Sequence, residues 1–387
     1  MITFSPSPSW KVLLTSLFCK KPDDAQLAAP WCQKGDQAVW FSRTAWSLHV
    51  IVRWWKMNFS KKPVIWVPGY FCNQSLWPLR QTNAKIIFYP IQEKMLPHWA
   101  ACETLAKQSK PDIFIVTHFY GFITPTTEID AFCKRHNTLL IEDAAHIITP
   151  TADVGKRGHF ILYSPYKLFS LPHGAVCIIK PLLYDFLKNQ NINEKVTLQQ
   201  VLAQIETTPP PIAIWFVKKI LQKIIRDKLD FLRKKKPFEE DGTSDPMPYT
   251  LQMHPVSKKM LSLMTHEIPH HIAHRRKCAV LWERLFKENN IQVARLTFNR
   301  EETPYIGVFK AVNEDAPAIY NTFKRWPLSS WPDLPPEVKA NPILHQTTIH
   351  FRNNMLVVPV HQTLQFIELI KRFTKNKLYL NHFENIS

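Results

Sequence analysis

Lys167 and Asp143 are the two residues whose types and spacing point most directly to chemistry. Asp143 ends the apolar run "LLIED" (139–143), and Lys167 follows 24 residues later, after one more apolar run. A carboxylate at the mouth of a buried strand is costly unless it meets a cation or hydrogen-bond donors. A lysine in a partly desolvated pocket has a lowered pKa and can form a Schiff base with a carbonyl.

The two residues together fit the requirements of one cofactor. Pyridoxal phosphate needs an acid that pairs with its pyridinium nitrogen and a lysine bound to the same ring system. Taken singly, Asp143 reads as a cap of the following helix and Lys167 as a surface charge, so it is their order that favours the cofactor. The seven scattered cysteines show no metal spacing, and we predict no metal site.

The elements around these residues follow a repeating order. Strand-like apolar runs occupy 64–68, 86–90, 113–119, 139–143, 160–163 and 175–180, and stretches 96–109 and 126–136 are long enough for crossover helices. Runs that are apolar on both faces and alternate with helices indicate a mostly parallel, doubly wound sheet. Ligands of such sheets bind at the carboxyl ends of the strands. Tyr70, His118, Asp143 and Ser164 each follow an apolar run and are expected at that edge.

Glycine is unusually rare, with 8 residues against 31 prolines. Each remaining glycine therefore indicates a backbone or close-approach requirement. Gly69, Gly121, Gly158 and Gly174 lie at the ends of apolar runs, which suggests one site built from several loops. The segment "SRTAWSLHVIVRWW" predicts a buried helix with Ser42 as its N-cap.

The net charge of +18, from 49 basic and 31 acidic residues, suits an anionic partner. No nucleic-acid motif is present, so a phosphate-bearing ligand or an acidic membrane surface is the better fit. Residues 181–245 are irregular and contain a basic amphipathic helix, 212–236. That helix reads either as a membrane-surface helix or as a solvated helix that packs its apolar side on the domain. No apolar run approaches the length of a bilayer span.

Several segments occur in the order found in one enzyme family. They are "FSRTAWSLH" (41–49), "VPGYFCNQSLWPLRQTNAKIIFYPI" (67–91), "THFYGF" (117–122), "LLIEDAAH" (139–146), "YSPYKLFSLPHGAVCI" (163–178), "RWPLSSWPDLPPEV" (325–338) and "LVVPVHQTL" (356–364). The chain resembles the DegT/DnrJ/EryC1/StrS family of pyridoxal-phosphate-dependent sugar aminotransferases. The combination of "IEDAAH", "SPYK" and "HGA" carries most of the specificity.

The resemblance implies an α/β chain with the type I aminotransferase fold of pyridoxal-phosphate-dependent transferases. A large domain with a mostly parallel sheet would span 1–245. A helical connection and a smaller α+β domain would span 246–387. The implied activity converts a nucleotide-linked keto sugar to an amino sugar with a glutamate-like amino donor, for surface polysaccharide or lipopolysaccharide synthesis. The implied assembly is a cytoplasmic homodimer, and contact of 212–236 with the inner face of the membrane is a further hypothesis.

The resemblance also assigns the residues of the ring site. Lys167 would bind the cofactor covalently and then move the proton between substrate and cofactor carbons. Asp143 would pair with the pyridine nitrogen, His146 would lie close to the ring or its 3′ oxygen, and Tyr70 would stack on the ring.

The phosphate site is assigned in the same way. Ser164 would contact the phosphate, and Ser42, Arg43 and Thr44 would bring backbone amides at a helix N-terminus to it. That placement also suits an anion on physical grounds.

Two positions depart from the family pattern. Ser42 stands where the family usually has glycine, and Gly174-Ala175 stands where it usually has two glycines. Two alternatives therefore stay open, namely a non-catalytic member that acts by binding and an enzyme that uses the same cofactor for another reaction. The related sugar dehydratases carry histidine at the position of Lys167, which argues against dehydration.

Overall fold

The chain folds around two β-sheets. The computed structural model describes residue 2 and residues 4–373, apart from 152, 206, 208–211, 225–248, 297, 313–314 and 325. The strands in these residues are β1 (Gln37–Phe41), β2 (Val64–Pro68), β3 (Lys85–Tyr89), β4 (Ile113–Thr117), β5 (Leu139–Ala144), β6 (Phe160–Tyr163), β7 (Ala175–Ile179), β8 (Val293–Arg295), β9 (Gly307–Ala311) and β10 (Met355–Val358).

Helices surround the sheets and join their strands. Those in the described residues are α1 (Trp10–Phe18), α2 (Asp24–Ala28), α3 (Thr44–Phe59), α4 (Asn73–Arg80), α5 (Trp99–Gln108), α6 (Thr127–His136), α7 (Pro165–Leu168), α8 (Leu182–Asn189), α9 (Leu198–Ala203), α10 (Ile212–Ile224), α11 (Pro255–Ser262), α12 (Ile268–Glu288), α13 (Ala316–Thr322), α14 (Pro336–Lys339), α15 (Gln346–Asn354) and α16 (Phe366–Phe373). No helix among these residues is both long enough and apolar enough to span a bilayer.

The large sheet has the strand order β1-β7-β6-β5-β4-β2-β3. β2, β3, β4, β5 and β6 pair in parallel, whereas β7 is antiparallel to both β6 and β1. The mostly parallel sheet predicted from the sequence is confirmed. The reversal at β7 follows from its connection, because residues 164–174 hold only the one-turn helix α7 and a parallel return needs a longer crossover.

Side chains alternate across this sheet and bury both faces. In β7, Ala175 and Cys177 enter the core that contains α3, and Val176 and Ile178 enter a second core that contains α1 and α11. The strands are therefore mostly apolar on both faces, which is why the sequence reads as short apolar runs.

Helix α3 begins one residue later than predicted and uses a different cap. Arg43, not Ser42, is its N-cap residue and has extended backbone, with φ −149° and ψ 152°. The Ser42 hydroxyl donates to the carbonyl of Thr250, and the Ser42 amide donates to the carbonyl of Leu251 at 2.7 Å. Ser42 thus joins the start of α3 to the segment that leads into α11.

The small sheet is antiparallel, with the order β10-β9-β8. Val308 and Val357 point toward the large sheet, while Phe309 and Leu356 pack with α12 and α16 in a third core. The predicted domain boundary at 245/246 lies within 225–248, outside the described residues, and stays a prediction. The basic helix predicted at 212–236 is described as α10, and its part beyond Ile224 lies outside the described residues.

A buried carboxylate fixes the carboxyl end of β5. Glu142 accepts hydrogen bonds from the amides of Gly155 and Gly158, both at 2.7 Å, and contacts His118 Nε2 at 3.3 Å. His118 Nδ1 accepts the Thr124 amide, so its Nε2 carries the hydrogen that Glu142 receives. Burial alone would raise the pKa of Glu142, but these hydrogen bonds outweigh burial and lower it.

We predict that Glu142→Gln lowers the free energy of unfolding by roughly 2–4 kcal/mol, because its amide nitrogen cannot accept a backbone N–H. Since folding lowers the pKa of Glu142, its contribution is complete above 4.5 and is lost as the pH falls through the folded value. Urea unfolding of wild type and variant should therefore converge at acidic pH.

Glu103→Gln is the matched control, because Glu103 pairs with Arg135 at the surface. Its effect should stay below about 1 kcal/mol. Equal losses for the two variants would contradict the assigned role of Glu142.

Candidate active site

Lys167 lies on α7, the single helical turn between β6 and β7. Pro165 occupies the first helical position, where its fixed φ suits the turn and its missing N–H costs nothing. The Lys167 amide donates to the Ser164 carbonyl at 2.9 Å, and the Tyr166 amide donates to the Gly174 carbonyl at 3.1 Å. The turn therefore holds the Lys167 backbone at the edge where β6 ends.

The Lys167 side chain lines a cavity of about 300 Å³. Its walls come from the N-terminal segment, the starts of α3 and α4, α7 and two C-terminal loops, through Phe4, Ser5, Arg43, Thr44, Ala45, Cys72, Gln74, Ser75, His146, Tyr166, Lys167, Tyr305, Ile306, Ser329, Ser330, Trp331, Pro332 and Val357. The structure thus brings four predicted residues, Lys167, His146, Arg43 and Thr44, to one cavity. Among the described residues, no three His, Cys, Asp or Glu side chains converge as metal ligands.

Asp143 is the penultimate residue of β5, where it pairs in register with Thr117 of β4, and its charge interacts with Lys167. Its Oδ1 accepts the Ala145 amide at 3.1 Å. Burial raises the pKa of Asp143, and the charge of Lys167 together with that hydrogen bond opposes the rise. Asp143 is half-buried, unlike the enclosed Glu142 before it, so its carboxylate can meet a ligand.

His146 is hydrogen-bonded on both ring nitrogens. Its Nδ1 accepts the Tyr120 amide at 3.1 Å, and its Nε2 lies 3.1 Å from Lys167 Nζ. Nδ1 therefore carries no hydrogen, and the neutral ring has its hydrogen at Nε2. The His146 Nε2–H can donate a hydrogen bond to Lys167 Nζ only when Nζ carries a lone pair. This geometry therefore accommodates the neutral amine form of Lys167.

Two sets of influences act on the charge of Lys167. Burial, the largest, disfavours the ammonium form, whereas Tyr166, Tyr305 and Asp143 favour it and raise the pKa of Lys167 on balance. A phenol attracts the ammonium only when it is ionised, and burial raises the pKa of Tyr305. Near neutral pH, the Asp143 carboxylate is therefore the counter-charge that favours the Lys167 ammonium. Burial and the His146 Nε2–H disfavour that ammonium.

Aromatic rings hold His146 in place. Tyr305 stacks on it with ring centroids 4.4 Å apart, and the Tyr120 ring lies nearly parallel to it with centroids 6.3 Å apart. The Tyr305 amide donates to the Tyr120 carbonyl at 2.8 Å. Gly121 permits this approach, because its φ is +101° and a Cβ there would lie 2.0 Å from the Thr303 carbonyl oxygen.

The start of α3 supplies the anion-binding features of the cavity. Thr44 and Ala45 open this 16-residue helix, which has no acidic residue in its first turn and no side-chain cap in the described structure. Arg43 donates from Nη1 to the Tyr166 hydroxyl at 3.0 Å and stands over the Tyr166 ring. A helix N-terminus beside a guanidinium favours a bound anion such as a phosphate.

Four predicted residues are not among those that line the cavity, namely Asp143, Ser42, Tyr70 and Ser164. Ser42 directs its hydroxyl to the Thr250 carbonyl. Tyr70 is fully buried, stacks on Trp331 at 4.8 Å and shares a hydrogen bond with the Tyr120 hydroxyl, so its ring is not presented to a ligand. The Ser164 hydroxyl is buried without a hydrogen-bond partner in the described residues.

Sequence reasoning missed a buried arginine that supports the site. Arg275 of α12 donates to the carbonyl of Leu168 at 2.8 Å, to that of Tyr305 at 2.9 Å and to Gln362 Oε1 at 3.0 Å. It ties the residue after Lys167 to the loop that carries Tyr305. In "HRRK" this arginine has no local feature that separates it from surface basic residues.

No family model and no curated protein matches the sequence. Solved structures match its fold. A Streptococcus pneumoniae protein assigned as a sugar aminotransferase has a TM-score of 0.68 at 11% identity, with 99% of each chain covered. A DegT/DnrJ/EryC1/StrS aminotransferase from Brucella abortus has a TM-score of 0.59 at 12% identity, covering 95% of this chain and 94% of its own.

A third match is the E. coli GDP-4-keto-6-deoxy-D-mannose-3-dehydratase, with a TM-score of 0.60 at 15% identity. It covers 96% of this chain and 98% of its own. The chain therefore has the type I fold of pyridoxal-phosphate-dependent aminotransferases, as the sequence predicted. Within that fold its likeness extends over nearly the whole length of sugar aminotransferases and of a nucleotide-sugar dehydratase.

We predict that His146 stays neutral throughout the physiological pH range. Burial, followed by the charge of Lys167, lowers its pKa well below 6.5, and the ring should be the Nε2–H tautomer. Histidine ¹⁵N NMR measures both properties, and a His146→Gln variant identifies the signal by its loss. Lys167→Met should raise the His146 pKa only in part, because burial remains. Titration of His146 near 6.5 in the wild type would refute the assignment.

Proposed function

We propose that this chain is a pyridoxal-phosphate-dependent aminotransferase that converts a nucleotide-linked keto sugar to an amino sugar, with a glutamate-like amino donor. One observation carries the proposal. Lys167 enters a cavity that also holds the open N-terminus of α3 and Arg43, with Asp143 at the neighbouring strand end.

The donor set fits the cofactor. The enclosed Ser164 hydroxyl lacks a partner among the described residues, which a phosphate oxygen would provide. Arg43 and the first amides of α3 would hold the same phosphate, Asp143 would hold the pyridine nitrogen, and Lys167 would bind the carbonyl carbon. When bound, the cofactor supplies an electron-withdrawing ring and a carbon that exchanges between carbonyl and amine.

Each residue of the site has a separate proposed role. The Asp143 carboxylate would keep a proton on the ring nitrogen of the bound cofactor. Lys167 Nζ would act as the base that moves a proton between the substrate carbon and the cofactor carbon. His146 Nε2–H holds Nζ in position by its hydrogen bond. Tyr305 and Trp331 wall the cavity and limit access of water.

The net charge of +18 supports an anionic substrate such as a nucleotide sugar. We also infer a cytoplasmic homodimer whose product enters polysaccharide synthesis, on the sequence resemblance alone. Dehydration of a nucleotide sugar is the second candidate function, because a GDP-sugar dehydratase shares the fold. Product analysis with a nucleotide keto sugar and glutamate distinguishes the two candidate functions. An aminotransferase yields an amino sugar, whereas a dehydratase yields a deoxy sugar.

Borohydride reduction after incubation with pyridoxal phosphate should place a pyridoxyl label on Lys167, found by peptide mapping. Lys167→Arg should abolish both the label and transamination. Lys180→Arg is the matched control, because Lys180 is also buried but pairs with Asp36. Label on other lysines, or none after reconstitution, would refute the proposal.

The phosphate assignment predicts opposite outcomes for two serines. Ser164→Ala should weaken cofactor affinity by about tenfold, because a hydrogen bond to a charged group contributes about 1.5 kcal/mol or more. Ser42→Ala should leave cofactor affinity nearly unchanged, because the Ser42 hydroxyl donates to the Thr250 carbonyl. Cofactor titration followed by absorbance measures both. A larger loss for Ser42→Ala would place the phosphate elsewhere.

A further inference from the structure

Helix α1 presents an apolar face to solvent. Leu14, Leu17 and Phe18 are 57%, 51% and 86% exposed, and Trp10 is 45% exposed. Leu13 packs inward against the second core. The exposed positions recur at helical spacing, so they form one stripe along the helix and not scattered surface residues.

Helix α10 also presents an apolar face to solvent. Trp215 and Phe216 pack against the second core, which fixes the orientation of the helix. Its outward stripe is apolar and consists of Ile214, Val217, Leu221 and Ile224, with exposed fractions of 70%, 56%, 44% and 67%.

The two stripes belong to one surface. Lys223 Nζ of α10 lies 5.4 Å from the centroid of the Trp10 ring of α1. We call the exposed faces of residues 10–21 and 212–224 the α1–α10 surface. An apolar patch of this kind marks a site of interaction with a protein or a membrane.

The charges on the α1–α10 surface select between these partners. Its sequence contains six lysines and neither aspartate nor glutamate; the lysines are Lys11, Lys20, Lys21, Lys218, Lys219 and Lys223. A two-fold contact with a second copy would bring equal sets of lysines together with no acidic partner on the surface. An anionic bilayer offers both phosphate groups for the lysines and an apolar layer for the stripes.

We propose that the α1–α10 surface docks this protein onto an anionic lipid bilayer, with both helices lying in the interface. The surface adds α1 to the basic helix that the sequence singled out. Because each lysine near an anionic surface contributes about 1 kcal/mol, docking is reversible and salt-dependent.

Vesicle sedimentation of the full chain tests this. Vesicles of phosphatidylcholine with phosphatidylglycerol should bind the wild type, and pure phosphatidylcholine vesicles should bind it much more weakly. Leu14→Ser with Phe18→Ser, and separately Lys11→Gln with Lys218→Gln, should each lower the partition coefficient by roughly tenfold or more. Ile343→Ser with Ile367→Ser is the matched control, because both side chains are exposed, at 92% and 62%, outside the surface.

Equal binding to both kinds of vesicle, or unchanged binding of the surface variants, would overturn the proposal. A dimer that Leu14→Ser with Phe18→Ser converts to monomers without loss of vesicle binding would assign the surface to a second copy and overturn it as well. Far-ultraviolet circular dichroism verifies that each variant is folded. Vesicle binding requires no turnover, so Lys167→Met should bind as the wild type does, and failure of the proposed activity leaves this test intact.

Discussion

The hydrogen-bond sequence from the Tyr120 amide through His146 to Lys167 Nζ is the interaction on which the site depends. A backbone amide can only donate, so it fixes the His146 tautomer and directs the Nε2–H toward Lys167 Nζ. The position of that amide depends on an unusual backbone, since Tyr120 and Gly121 both have positive φ. The loop 303–305 fits against Gly121, and Tyr305 then stacks on His146. The surroundings of Lys167 Nζ thus depend on the loop that follows β4, two strands away in the sheet.

Glu142 and Asp143 are adjacent carboxylates at the end of β5, and their different surroundings shift their pKa values in opposite directions. Glu142 and Asp143 point to opposite sides of the strand, and Glu142 is enclosed whereas Asp143 is half-buried. Glu142 has the amides of Gly155 and Gly158 as donors, so its pKa falls and it serves as a fixed anion that closes the loop 155–158. Asp143 receives one amide in the described structure, so burial raises its pKa and leaves it dependent on a cation. A ligand that supplies a positive ring nitrogen would relieve that cost.

Local pattern accounts for the parts of the fold that the sequence predicted. The runs at 64–68 and 160–163 match β2 and β6, because a strand buried on both faces must be apolar throughout. β1 was not predicted, since it is defined by pairing with β7, far along the chain. That Lys167 and Asp143 lie close enough to interact could be predicted, because residue type and strand order place both at the same sheet edge. Tyr305 and Arg275 could not, because their roles arise from carbonyls and rings that only the folded chain brings together.

The N-terminal segment connects the cavity to the exposed helix α1. Phe4 and Ser5 line the cavity, and the Pro6 carbonyl accepts the Ser170 hydroxyl at 2.9 Å. The Ser7 amide donates to Thr363 at 3.1 Å, which ties the segment to the C-terminal loop beside Gln362. Ser9 then caps α1 by accepting the Val12 amide. Only a few residues therefore separate the cavity wall from the first exposed turn of α1. The segment joins the cavity that Arg43 lines to the helix that Lys11, Lys20 and Lys21 accompany.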